Sequence, residues 1–163
     1  MRFELSQDLP APAGIAIEVF ADPGFHSGLT GLTKVSTPEV LDHEATGDLV
    51  RLRMRYRFVA SLPGAVTAVV DPERLTWIDE TTYDLGEGTA VTVMHPDHYS
   101  DRLSAEIRTE FLDAPGGCTR LISGDLRVKV LLVAGQVERA IVSGLEEHMA
   151  EEGAAARVRL VPG

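Results

Sequence analysis

Positive charge is scarce in this chain. Fifteen Lys and Arg stand against 25 Asp and Glu, giving a formal net charge of −10 over 163 residues. Affinity for nucleic acid rests largely on a basic surface that neutralises phosphates. The deficit therefore argues against a nucleic-acid partner, and equally against docking on anionic lipid. Cysteine is almost absent: Cys118 stands alone and cannot form an intramolecular disulfide. It follows Pro115-Gly116-Gly117 at the start of a strand pattern, with no histidine beside it to activate a thiolate, and reads as an inert small residue. No apolar run approaches the ~18 residues of a membrane span. No basic segment followed by an apolar one opens the chain, so a cytoplasmic protein without membrane insertion is expected. Hydrophobic residues, at 44%, are too plentiful for a disordered chain. Surface scaling allows about 69% of the unfolded area to be buried, and a single domain over 1–163 is expected.

Alternation dominates the first four fifths. Residues 2–9 place Phe3, Leu5 and Leu9 on one face and Arg2, Glu4 and Asp8 on the other, a half-buried strand. Pro10-Ala11-Pro12 stops it and suits a helix start. Ile15, Val19 and Phe20 then mark the inward side of a short helix ending before Asp22-Pro23-Gly24. Phe25–Thr33, with three glycines, reads as a weak helix or a loop, and strand signals resume over Val35–Ala45, interrupted by Pro38. The strongest pattern is 50–58, where Val50, Leu52, Met54, Tyr56 and Phe58 alternate with Arg51, Arg53, Arg55 and Arg57. An apolar insert bounded by Pro63 and Pro72 leads to strands over Leu75–Tyr83, Thr89–His95, Leu103–Phe111 and Thr119–Val130, the last with Leu126, Val128 and Val130 inward. From Gly135 the period becomes helical: Val137, Ile141, Leu145 and His148 or Met149 form one stripe, with Glu138, Glu146, Glu147, Glu151 and Glu152 toward water. Ala140 and Gly144 flank that stripe and allow close approach, and the tail 157–163 is expected to fray.

Six consecutive strands joined by tight turns pair antiparallel. With the first strand they make a seven-stranded sheet whose apolar face needs a cover. The final helix, about 20 residues or roughly 30 Å, is the one element long enough to supply it. A curved sheet wrapped around one helix leaves space between them, a place where a small apolar ligand binds. The predicted class is therefore α+β.

That order resembles the helix-grip fold of the START-like (SRPBCC) superfamily, which includes pollen-allergen proteins, lipid-transfer domains and polyketide cyclases. Leu9-Pro10-Ala11-Pro12, followed by Glu18-Val19-Phe20-Ala21-Asp22-Pro23, matches its usual opening of a strand, a Pro-started helix ending in an apolar–aromatic pair, and Asp-Pro. The length and the Leu62-Pro63 insert before a Trp-bearing strand look like a bacterial family of unknown function within it. The resemblance implies a curved seven-stranded sheet gripping the C-terminal helix, with two short helices after the first strand.

Met54, Tyr56, Phe58, Phe111, Ile141 and Leu145 are the candidate apolar lining, though a filled core gives the same pattern. The insert 62–72 either caps such a pocket or simply packs. Trp77, Asp79, Thr81 and Tyr83 share a face if their strand is regular, which puts a carboxylate inside; a bulge would return Asp79 to solvent. The Arg51–Arg57 row reads as a solvated face paired across strands with Glu80 and Asp84. His95-Pro96-Asp97-His98 offers two imidazoles and a carboxylate, but neighbouring strand residues point to opposite faces and no further ligand completes a metal set. His95 is left as an exposed turn residue or as part of a pocket mouth beside Tyr99. No cofactor is expected. The leading expectation is binding of a small hydrophobic molecule or lipid by a monomer or homodimer. A cyclase- or hydratase-like enzyme using Asp79, Tyr83 and His95, and a chaperone-stimulating interaction module, are the alternatives the resemblance implies.

Overall fold

A computed structural model describes residues 1–161. Strand β1 (Arg2–Leu9) is followed by helices α1 (Ala13–Ala21) and α2 (Pro23–Ser27). Strands β2 (Glu39–Thr46) and β3 (Leu49–Arg57) form a hairpin, after which the insert holds one short turn of helix, α3 (Gly64–Thr67), and a 3₁₀ turn (Pro72–Arg74). Strands β4 (Thr76–Asp84), β5 (Thr89–Pro96), β6 (Leu103–Ala114) and β7 (Gly117–Val128) meander onward to helix α4 (Ala134–Leu160). All neighbours are antiparallel, in the order β1-β7-β6-β5-β4-β3-β2. The curved sheet, long C-terminal helix and short helices after β1 are as the sequence led us to expect.

The inward faces follow the alternation. Val50, Leu52, Met54 and Tyr56 of β3, Trp77, Thr81 and Tyr83 of β4, and Leu103, Ala105, Thr109 and Phe111 of β6 are all buried. The arginine row lies outside and is paired: Arg51 with Glu44, Arg53 with Glu80 and Arg55 with Asp97. Exposed pairs of this kind add little stability each; their effect is to keep the outer face wet.

Several expectations are corrected. In α1 the buried side is Ala16, Ile17 and Phe20, while Ile15 is 54% exposed, because the helix packs by its 16–17–20 edge. Helix α4 is 27 residues, about 40 Å long, rather than about 20. The segment from 157 does not fray up to Leu160: Arg157 Nε donates to the Asp8 carbonyl at 2.8 Å and Arg159 pairs with Asp22. Residues 162 and 163 lie outside the described residues. Strand β7 ends at Val128, two residues early. Glu152, expected in water, is buried; its reason belongs to the site.

Gly144 sets how closely α4 approaches the sheet. A Cβ there would sit 2.4 Å from Cε2 of Phe58, a ring itself buried in the core. Gly144→Val is expected to cost at least about 2 kcal/mol in urea denaturation, the overpacking term exceeding any gain in helix propensity. Unchanged stability would mean that Phe58 is free to move.

Candidate functional site

The interior between the sheet and α4 is not uniformly apolar. Around its middle, a cavity of about 60 Å³ is lined by Tyr56, Asp79, Thr81 and Tyr83 from β3 and β4, Thr92, Met94, Ile107, Thr109, Phe111, Arg120 and Ile122 from β5 to β7, and Leu145, His148, Met149 and Glu152 from α4. Such a space holds a few water molecules. A wider depression of about 690 Å³ lies on the outer face, among Arg2, Glu4, Glu106, Arg108, Asp125 and Arg127. It is open to solvent and of mixed charge, and the convergent buried polar groups lie instead in the interior cavity.

Of the sequence candidates, Tyr56, Asp79, Tyr83, Phe111 and Leu145 converge on the cavity. The β4 strand pairs regularly with β3 and β5 through Asp79, so no bulge turns this carboxylate outward. Met54, Phe58 and Trp77 are buried but serve as surrounding packing, with Trp77 stacked on Tyr56 at 5.7 Å between centroids. Ile141 lines a second, apolar pocket of about 20 Å³ with Val69, Val70, Leu75, Tyr99, Leu103 and Val137. His95 does not join either space. It is exposed and pairs with Ile78 across the sheet, because Met94 takes the inward position beside it.

Glu152 is the centre that sequence reading missed. Its Oε1 accepts from Arg120 Nη2 at 2.7 Å, and both side chains are more than nine-tenths buried. Its Oε2 lies 3.6 Å from His148 Nε2 and 3.9 Å from His26 Nδ1. His26 Nε2 donates to the Phe20 carbonyl at 2.6 Å, which ties α2 into the cluster. Arg120 also donates to Gln7 Oε1 at 3.1 Å and lies 4.0 Å over the Phe20 ring. Gln7 Nε2 in turn donates to the Met149 carbonyl at 2.8 Å. Gly153 admits that amide, since a Cβ at 153 would stand 2.6 Å from Gln7 Oε1. Two signals were available: Arg120 has the parity of inward Ile122 and Leu126, and Glu152 continues the 141–145–148 stripe.

Burial alone would raise the Glu152 carboxyl, but Arg120, His148 and His26 outweigh it and hold it below the usual range. Burial keeps His148 below its ordinary value, with His26 and Arg120 acting in the same direction against Glu152. Asp79 has no such cation. Burial, reinforced by the negative charge of Glu152, pushes it up to about 7. The Trp77 indole favours its charged form, yet that N–H makes no hydrogen bond of good geometry and Asp79 Oδ1 is sealed without a partner. His148 Nδ1 and Arg120 Nε are likewise buried and unpartnered. Among the described residues no cluster of His, Cys, Asp and Glu is arranged to hold a metal ion, and no helix is long and apolar enough to cross a membrane. Cys118 is buried and burial raises its thiol, consistent with an inert residue.

With this geometry the chain has the helix-grip fold of solved START-like proteins. It superimposes on the Zhui aromatase/cyclase from Streptomyces sp. R1128 with a TM-score of 0.68 and 14% identity, covering 98% of this chain and 93% of the other. Norcoclaurine synthase from Thalictrum flavum gives 0.65 and 19%, over 99% and 87%. A START superfamily protein from Mycobacterium smegmatis gives 0.57 and 15%, over 98% and 96%. At these identities the likeness is one of fold. None of the curated proteins matches. The chain belongs to the family described as protein of unknown function DUF2505, whose model matches residues 4–160.

Two outcomes follow from the cluster. Glu152→Ala leaves the Arg120 guanidinium buried without its counter-charge and is expected to cost about 3–5 kcal/mol in chemical denaturation. The double change Arg120→Met with Glu152→Leu should recover most of that loss; equal damage from both would show that the pair's charge is not what matters. Asp79 gives a pH signature. Its folded value lies above its unfolded one, so the folded state keeps a proton that the unfolded state loses, and stability falls as pH rises from about 4 to about 7. Asp79→Asn removes this dependence, so its gain over the native chain should be larger at pH 8 than at pH 4 by about 4 kcal/mol, a rise of about three pH units at about 1.4 kcal/mol each. An equal gain at both values would contradict a carboxyl whose Oδ1 is buried without a partner.

Proposed function

We propose that this protein binds a small, largely apolar molecule between its sheet and α4, with the polar end of that molecule at the Asp79 side of the cavity. The observation that carries the reading is the partly enclosed space itself. It is lined by apolar and aromatic side chains on one part and by threonines, Arg120, Glu152, Asp79 and His148 on the rest, with buried polar atoms on Asp79 and His148 that nothing in the chain satisfies. Buried polar groups left without partners are costly, and water or a ligand is the usual remedy. The fold is also that of a solved aromatase/cyclase and a solved synthase, proteins whose names denote work on organic molecules.

At about 60 Å³ the cavity is well below the several hundred of a typical small-molecule site, so a larger guest has to displace something. The insert 62–74 is the segment suited to move. Val66 and Val70 anchor it to the core, Val69 and Val70 roof the apolar pocket, and the Asp71 N–H donates to the Tyr99 hydroxyl at 3.1 Å. Tyr99 holds a left-handed backbone (φ 61°), a strained conformation for an aromatic residue. Beneath the insert, α4 presents Val137 and Ile141 to the apolar pocket, then Leu145, His148, Met149 and Glu152 to the polar one. The guest's apolar body therefore lies toward the insert.

A cyclase- or hydratase-like reaction draws support from the relatives' names and from Asp79 titrating near neutrality. Its named groups are not assembled for it: His95 faces solvent, and Asp79 and Tyr83, though both on the cavity wall, share no hydrogen bond, being four residues apart along β4, about 13 Å. Binding is the better-supported reading.

Native mass spectrometry of freshly purified protein should show a co-purified small molecule, and a fluorescent apolar probe should compete with it. Leu145→Trp, which fills the cavity, should abolish both while leaving circular dichroism intact. Bare protein that takes up no probe would contradict the reading.

A further inference from the structure

We infer that the preferred guest is a cationic amphiphile, an apolar molecule bearing a protonated amine that seats against Asp79. This rests on the binding reading above and names its chemical class. The cavity lining carries two carboxyl groups, Asp79 and Glu152, and one guanidinium. That guanidinium is already committed: Arg120 donates to Glu152 at 2.7 Å and to Gln7 at 3.1 Å, leaving only its Nε without a partner. A carboxylate entering here would meet two groups of its own sign and no free bidentate donor. A neutral hydroxyl could donate to Asp79 Oδ1 but would leave its charge uncompensated in a low-dielectric space. An ammonium supplies both the donor and the charge.

The surroundings agree. Tyr56, Tyr83 and Phe111 line the cavity with aromatic rings, whose faces attract cations. Three threonines, Thr81, Thr92 and Thr109, supply hydroxyl acceptors, and Thr81 and Thr92 already share a hydrogen bond at 2.7 Å. The titratable and charged groups around Asp79 are Tyr56 from β3, Tyr83 from β4, Arg120 from β7, and His148 and Glu152 from α4. Burial keeps His148 below its ordinary value, so it adds little opposing charge at neutral pH. A net charge of −10 further concentrates cations near the surface.

The test is a matched series of hexylammonium, hexan-1-ol and hexanoate, titrated at pH 6 and pH 8 by calorimetry and by fluorescence of Trp77, the chain's single tryptophan. Hexylammonium should bind most tightly. Its affinity should rise up to about tenfold from pH 6 to pH 8 as Asp79 ionises, and Asp79→Asn should flatten that rise. Hexanol binding should change little with pH. If hexanol or hexanoate binds as well as or better than hexylammonium, or Asp79→Asn keeps the pH rise, the assignment of a cationic guest is overturned while the binding reading stands. If no member binds to the native chain, both fall.

Discussion

A guanidinium–carboxylate pair closed off from water, Arg120 to Glu152, is the interaction around which this interior is organised. It joins the middle of β7 to the last third of α4. Gln7 and Phe20 extend the junction to β1 and α1, and His26 brings in α2. Taking two charges out of water is expensive, and a well-packed apolar replacement is often as stable or more so. What the pair does here is geometric: two long side chains, each with further polar partners, stop the facing apolar surfaces from closing completely.

That constraint divides the interior into two regimes along one helix. Toward its N-terminal half the inward stripe of α4, Val137 and Ile141, meets a mainly apolar core cluster and the insert. Toward its C-terminal half the helix carries His148 and Glu152 into a space already holding Asp79. Glu152 acts in opposite ways on its neighbours. Arg120 neutralises it locally, yet its negative charge still reaches Asp79, where no cation answers it. Burial is the larger reason that Asp79 titrates high, so a single carboxylate, Glu152, both locks the helix and adds to what burial does to its neighbour.

Much of the scaffold was legible in the sequence because period-two alternation in β3, β4 and β6 admits one reading. A face of Val50, Leu52, Met54 and Tyr56 opposite four arginines can only be a strand with a wet side. The order of strands and final helix gave the fold class, and the opening Pro-started helix and Asp-Pro turn carried the family resemblance. Asp79 could be placed inward by parity alone, although a bulge would have reversed it. The polar centre was harder. Glu152 sits among several glutamates on one helix, and a carboxylate normally reads as solvated unless its partner is known. That partner lies 32 residues earlier on β7, and only the tertiary register sets them face to face. His26 comes from a glycine-rich stretch with no periodicity to orient it. His95 shows the reverse error of chemistry: an attractive residue type beside a turn, turned outward by the same alternation that brought Met94 in.

The central claim is that the space between sheet and α4 admits a guest. Methyl-labelled protein titrated with a small apolar probe and followed by NMR tests it most directly, because cavity and surface carry distinguishable methyls. The account predicts that Ile107, Ile122 and Leu145 shift together, while Leu112 and Leu121, exposed on the outer face, stay put. Shifts confined to those outer residues, or none anywhere, would contradict it.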